Sequence, residues 1–102
     1  MDKPAWILVD AEKRAAKHPE ALKIPSELLR SEVKPGSLVK LIFEIPNVRG
    51  ERMWVQVTAS KGKGKTKVLT GTVINVAVTP EMPGLGEEIT FRPNNIIAIW
   101  NG

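Results

Sequence analysis

Arg52-Met53-Trp54-Val55-Gln56 is the stretch whose residue types and spacing best suit recognition chemistry. In an extended chain, alternation puts Arg52, Trp54 and Gln56 on one face and Met53, Val55, Val57 and Ala59 on the other. An indole among polar neighbours, with a guanidinium beside it, has the composition of a protein-binding surface. The same ring could instead be the landing surface of a covering N-terminal helix, with Leu38 and Ile42 completing an apolar patch. The exposure of Trp54 separates the two readings.

A second stretch, Lys61-Gly62-Lys63-Gly64-Lys65-Thr66-Lys67, concentrates charge. The chain carries a net charge of +4 with a pI near 9.6. Residues 1–60 hold ten basic and eight acidic side chains, and residues 68–102 hold one arginine and three glutamates. The four lysines of the tip therefore equal the whole excess. Such a tip is either a solvated hairpin turn or a cationic finger in which Lys61, Lys63, Lys65 and Lys67 neutralise phosphates without reading sequence. Gly64-Lys65-Thr66 mimics the end of a phosphate-cradling P-loop, but the Gly-x-x-x-x-Gly-Lys spacing is absent. Single-strand binders add stacking aromatics, and this chain has three tryptophans, two phenylalanines and no tyrosine. Nucleic-acid binding is thus the second reading.

Catalytic constellations are missing. No cysteine is present, which excludes a thiol nucleophile, a disulfide framework and thiolate zinc sites. The single histidine, His18, falls at an expected helix end, where a solvated or capping role is usual. Glu87 and Glu88 point to opposite faces of a strand, and no Ser-His-Asp order stands out. Phe91 and Trp100 read as core or edge packing. The expectation is a non-enzyme without metal or cofactor. A pocket bringing together two carboxylates, or containing His18, would point back to catalysis.

The elements that position these residues follow from pattern. Asp10 caps a short helix that runs to Lys17 and stops before His18-Pro19. Ser26 caps a second over Ser26–Ser31, closed by Lys34-Pro35-Gly36. Trp6–Val9 reads equally as a short strand or as a first contact of the N-terminal arm with the core. Alternation then predicts strands over Ser37–Ile45, Arg52–Ser60, Val68–Val78, Glu88–Arg92 and Ile96–Trp100, with Gly71 as a bulge or bend. Pro46–Gly50 joins the first two, and Pro93-Asn94-Asn95 the last two. The predicted fold is α+β but mostly β: a five-stranded bent antiparallel sheet or SH3-like barrel with one or two short N-terminal helices. At 102 residues it forms one domain, with an arm over 1–35 packed on a β core over 36–102.

Leu38-Val39-Lys40-Leu41-Ile42-Phe43, then Gly50-Glu51-Arg52-Met53-Trp54-Val55-Gln56-Val57, resemble a family of small bacterial domains of unknown function. Its strands read G-D-x-V-K-L-x-F, E-R-M-W-V-x-V, G-x-L-x-N and G-D-x-I-x-F-x-x-x-x-I. The third corresponds to Gly71-Thr72-Val73-Ile74-Asn75, and the last to Gly86-Glu87-Glu88-Ile89-Thr90-Phe91 with Ile96. The resemblance covers roughly residues 20–100. Ser37 and Glu87 stand where the family often has aspartate, and the basic tip is a further departure. Related domains are similar to immunity proteins of bacterial toxin systems, which implies a protein partner, of immunity or inhibitor type, in a bacterial or phage cytoplasm. The start, Met1 to Trp6, lacks the hydrophobic stretch of a secretory signal, and no apolar run reaches membrane-spanning length. The chain is therefore expected to be cytoplasmic, off the membrane, and a monomer or weak homodimer formed by sheet extension.

Overall fold

The computed structural model describes residues 5–100, apart from the side chains of Val48 and Arg49. Met1–Pro4, on which the reading of the N-terminus partly rests, and the last two residues lie outside the described residues. The elements are β1 (Ile7–Leu8), α1 (Ala11–Lys17), α2 (Glu27–Ser31), β2 (Leu38–Ile45), β3 (Val48–Lys61), β4 (Val68–Val73), β5 (Glu88–Phe91) and β6 (Ile96–Ile99). Single 3-10 turns occupy Gly64–Thr66 and Pro93–Asn95.

Both helices start where a side chain replaces a missing backbone acceptor. Asp10 accepts from the Lys13 N–H at 3.1 Å, and Ser26 Oγ from the Leu29 N–H at 3.2 Å. At seven and five residues neither helix is long enough to persist alone, so packing must hold them.

β2 to β5 form an antiparallel meander. The 3-10 turn at Pro93–Asn95 then sends β6 back to pair with β2, which curls the sheet into a half-barrel. The expected bent five-stranded sheet with two short helices is what forms. β1 is a short additional strand on the far end of β2, pairing Ile7 with Glu44 and Leu8 with Phe43. It also contributes to the core, because the neighbouring Trp6 ring meets Phe43 edge-on at 5.2 Å. Inside the curl, Val39, Leu41, Phe43, Met53, Val55, Val57, Leu69, Val73, Phe91 and Ile96 are buried together. Each large aliphatic or aromatic side chain there contributes about 1.5–3 kcal/mol by leaving water. A smaller cluster lies on the outer face, where α1 and the following loop place Ala11 and Leu22 on Ile42 and Ile97.

Beyond one-residue differences at strand ends, the strands depart from the sequence reading in three places. The first connection is only Pro46-Asn47, because Asn47 adopts φ 64° and Ile45 already pairs with Val48. A register shift between Val57 and Ala59 turns Ala59 to solvent opposite Thr70, so the predicted inward alternation ends at Val57. Gly71 faces this shift rather than supplying the extra residue. A Cβ there would lie 2.6 Å from both the Gln56 carbonyl and a Val55 methyl, so glycine permits the close crossing of β3 and β4. Finally, β4 stops at Val73 instead of Val78.

Arg30 is the one charged residue buried in the described structure, at 5% exposure. Its guanidinium donates to Glu12 of α1 at 2.7 Å, to the Pro25 carbonyl at 2.9 Å and to the Pro93 carbonyl at 3.2 Å. Arg30→Met keeps the packing volume but leaves the two carbonyls without donors. It is expected to lower the unfolding free energy by about 2 kcal/mol, read as a lower urea midpoint with unchanged slope. An unchanged midpoint would contradict this clamp.

Candidate protein-binding face

The outer face of the half-barrel is built by alternation on three strands, β2, β3 and β6. Lys40 of β2 lies directly across from Trp54 of β3, and Ala98 of β6 lies across from Lys40 on its other side. Arg52, Trp54 and Gln56 share this face, as their spacing predicts, with Arg52 and Gln56 exposed and Trp54 half-buried. Trp100, held by its N–H to the Leu38 carbonyl at 2.9 Å, extends β6 along the same face.

Trp54 is not the floor of the helical arm. α1 covers Ile42 and Ile97, whereas Trp54 is flanked by Lys40 and Trp100. The Lys40 ammonium stands 4.8 Å from the Trp54 ring centroid, a cation–π contact worth about 0.5–1 kcal/mol at such a surface. Trp100 meets Trp54 nearly perpendicularly, at 87° with centroids 6.2 Å apart. Trp100 is 59% exposed, so the sequence reading of this residue as packing holds only for its contact with Trp54. Phe91, by contrast, is in the core.

Beside Trp54 the backbone of β4 is replaced by side chains. The Ile74 N–H still donates to the Trp54 carbonyl, but the Trp54 N–H donates to the Asn75 side-chain oxygen. Further on, both Glu51 carboxylate oxygens accept backbone N–H bonds, from Val78 at 2.9 Å and Thr79 at 2.7 Å. Residues 74–79 therefore run beside β3 without joining its ladder. Ile74, Val76 and Val78 point to solvent while Ala77 packs on the core.

The lysine tip is less free than its composition suggests. Lys67 Nζ donates to the Ser31 and Val33 carbonyls at the end of α2, at 2.9 and 2.5 Å, as a cation that caps a helix C-terminus. Lys65 pairs with Glu27 at 3.2 Å. Lys61 and Lys63 are exposed and have no ion-pair partner among the described residues. The tip thus divides into two docking lysines and two solvated ones.

Two clefts bear on catalysis. One, of about 250 Å³, brings His18 together with Arg14, Glu44, Arg52 and Ile42 beside the aromatic face. Arg14 grips both oxygens of Glu44, at 2.7 and 3.1 Å, which holds Glu44 below the usual carboxylate range and raises Arg14. The other, of about 220 Å³, contains Glu12 and Glu27, each already paired, with Arg30 and with Lys65. Each of these three carboxylates is committed to a cation rather than to sharing a proton. Among the described residues no cluster of His, Asp and Glu has the grouping of a metal site, and no helix is long and apolar enough to cross a membrane.

Sequence reasoning missed Lys40, Trp100 and Ile74 as parts of the face. Trp100 was visible as an aromatic next to a strand end, but which face it takes depends on the pairing of β6 with β2. No protein-family model, curated protein or solved structure matches the chain.

The Glu51 contact has a pH signature. Bonds from the backbone, chiefly the Val78 N–H and secondarily Thr79, outweigh burial and hold the carboxyl below its ordinary value of 4.5. Because the folded value is the lower one, the stabilising contribution is complete above pH 4.5 and is lost as pH falls through the lowered value. Amide exchange at Val78 and Thr79, corrected for intrinsic rates, should show protection that holds down to that range and then collapses. Glu51→Gln should weaken it across the range in which the carboxylate is ionised. Protection unchanged by either acid or substitution would contradict the assignment.

Proposed function

We propose that the chain is a non-catalytic module that binds another protein through the outer face of β2, β3 and β6, centred on Arg52, Trp54 and Gln56 and extended by Lys40 and Trp100. The observation that carries this reading is the pair of touching indoles, one of them 59% exposed, on a sheet face that α1 leaves open. A large exposed aromatic surface costs free energy in water, and tryptophan with arginine is the composition of interface centres. Paired carboxylates in both clefts support a binding role over a catalytic one. The motif resemblance to bacterial domains related to immunity proteins favours a toxin-neutralising or inhibitor-like role in a bacterial or phage cytoplasm, with the chain a monomer or weak homodimer.

Weak nucleic-acid binding through the tip is the second reading, supported by solvated Lys61 and Lys63. Docking of Lys65 and Lys67 onto α2 reduces the charge it can offer to phosphates.

Panning a displayed random-peptide library against the protein tests the main reading. Enrichment is expected on the native chain and is expected to disappear on Trp100→Ser, whose exposed position should leave the thermal midpoint within a few degrees. Enrichment retained by Trp100→Ser but lost when Lys61 and Lys63 are replaced by alanine would move the site to the tip. No enrichment at all would remove the binding-face reading.

A further inference from the structure

The charges around the two indoles are one-sided. Lys40 and Arg52 flank Trp54, and neither has a carboxylate within ion-pair distance among the described residues. Arg52 also lines the neighbouring cleft, together with Arg14 and His18. The carboxylate in that cleft, Glu44, has both oxygens taken by Arg14. Glu88 is the next acidic residue across the face, and it sits on β5 opposite Thr72, two strands from Trp54. Arg52 thus borders both the aromatic patch and the cleft, which gives the face a lane with an apolar end and a cationic end.

We infer that the partner docks an acidic, extended segment in this lane, seating an apolar side chain against Trp100, Trp54 and Ile74 and placing a carboxylate on Arg52. This inference rests on the reading of the face as a protein-binding site. Charge complementarity selects the sign: a basic segment would meet two unpaired cations, and a neutral one would leave them unused. Strand geometry selects the spacing. Trp54 and Arg52 are two residues apart on one strand face, about 7 Å, which is also the repeat of same-side residues in an extended peptide. The matching pattern is an apolar residue followed two positions later by aspartate or glutamate. A single nucleic-acid strand fits less well. Lys40 already lies over the Trp54 ring, and the two indoles are nearly perpendicular, so no parallel slot for a base lies between them.

Fluorescence anisotropy with defined probes tests the inference. One labelled peptide repeats Leu-Ser-Glu-Ser, so that one side of its extended form alternates leucine with glutamate. Companion peptides carry glutamine or lysine in place of glutamate, and a thymidine oligonucleotide represents a single strand. The glutamate peptide is expected to bind at least about tenfold more tightly than the glutamine peptide, and to weaken with salt. Arg52→Glu should remove about tenfold of its affinity and narrow or reverse the preference over the lysine peptide, with the circular dichroism spectrum and thermal midpoint confirming the fold. Equal binding of glutamate and glutamine peptides, both lost in Trp100→Ser, would overturn the acidic partner while leaving the binding face standing. Tightest binding by the oligonucleotide would replace the protein partner with nucleic acid. No peptide binding, or binding indifferent to Trp100→Ser, would overturn both the inference and the reading it rests on.

Discussion

One guanidinium ties together parts of the chain that are distant in sequence. Arg30 reaches α1 through Glu12, the entry to α2 through the Pro25 carbonyl, and the last turn before β6 through the Pro93 carbonyl. Burying a charge is costly unless it is paired and hydrogen-bonded, and here two carbonyls and one carboxylate take the Nε and Nη1 donors. The consequence for the site is positional. With the Pro93–Asn95 turn held, β6 enters beside β2 and delivers Trp100 to Trp54. Asn95 reinforces the same corner by donating to the Val9 carbonyl at 3.0 Å.

On the other side of Trp54, the sheet ends in a way that exposes apolar surface. Asn75 takes the backbone N–H of Trp54, so β4 parts from β3 one residue after Ile74. Glu51 then holds the departing segment at Val78 and Thr79. Two side chains thus stand in for a strand partner and hold residues 74–79 against β3, with Ile74 beside Trp54. The donor in this bond is the Trp54 backbone, so it constrains Asn75 and leaves the indole free to serve the outer face.

The inward face of β2 and β3 was legible because alternation is a strong signal, and from Val39 to Phe43 and from Met53 to Val57 each apolar position it marks is buried. The register between the strands was not. A two-residue turn at Pro46-Asn47 without irregularity would set Lys40 against Met53, joining an outward residue to an inward one. The structure resolves the conflict with a register shift between Phe43 and Ile45, near Gly50, where a Cβ would come within 2.9 Å of the Glu44 side chain. That shift puts Lys40 across from Trp54. Arg52, Trp54 and Gln56 could therefore be read as one face from spacing alone, but Lys40, Ile74 and Trp100 join it through pairings that span the chain. Arg30 was illegible for a similar reason: its partners are backbone carbonyls, which carry no residue identity. The docking of Lys65 and Lys67 was equally invisible, since a basic glycine-rich run looks the same whether solvated or folded onto a helix end.

The three indole N–H groups offer the most direct test, because each of Trp6, Trp54 and Trp100 reports a different place in the fold. Titrating the isotopically labelled protein with the Leu-Ser-Glu-Ser peptide should move the Trp54 and Trp100 indole signals together and leave Trp6, packed on Phe43, in place. Signals of Trp54 and Trp100 that stay fixed while backbone amides of the lysine tip or of Trp6 shift would contradict the assignment of the outer face as the binding site.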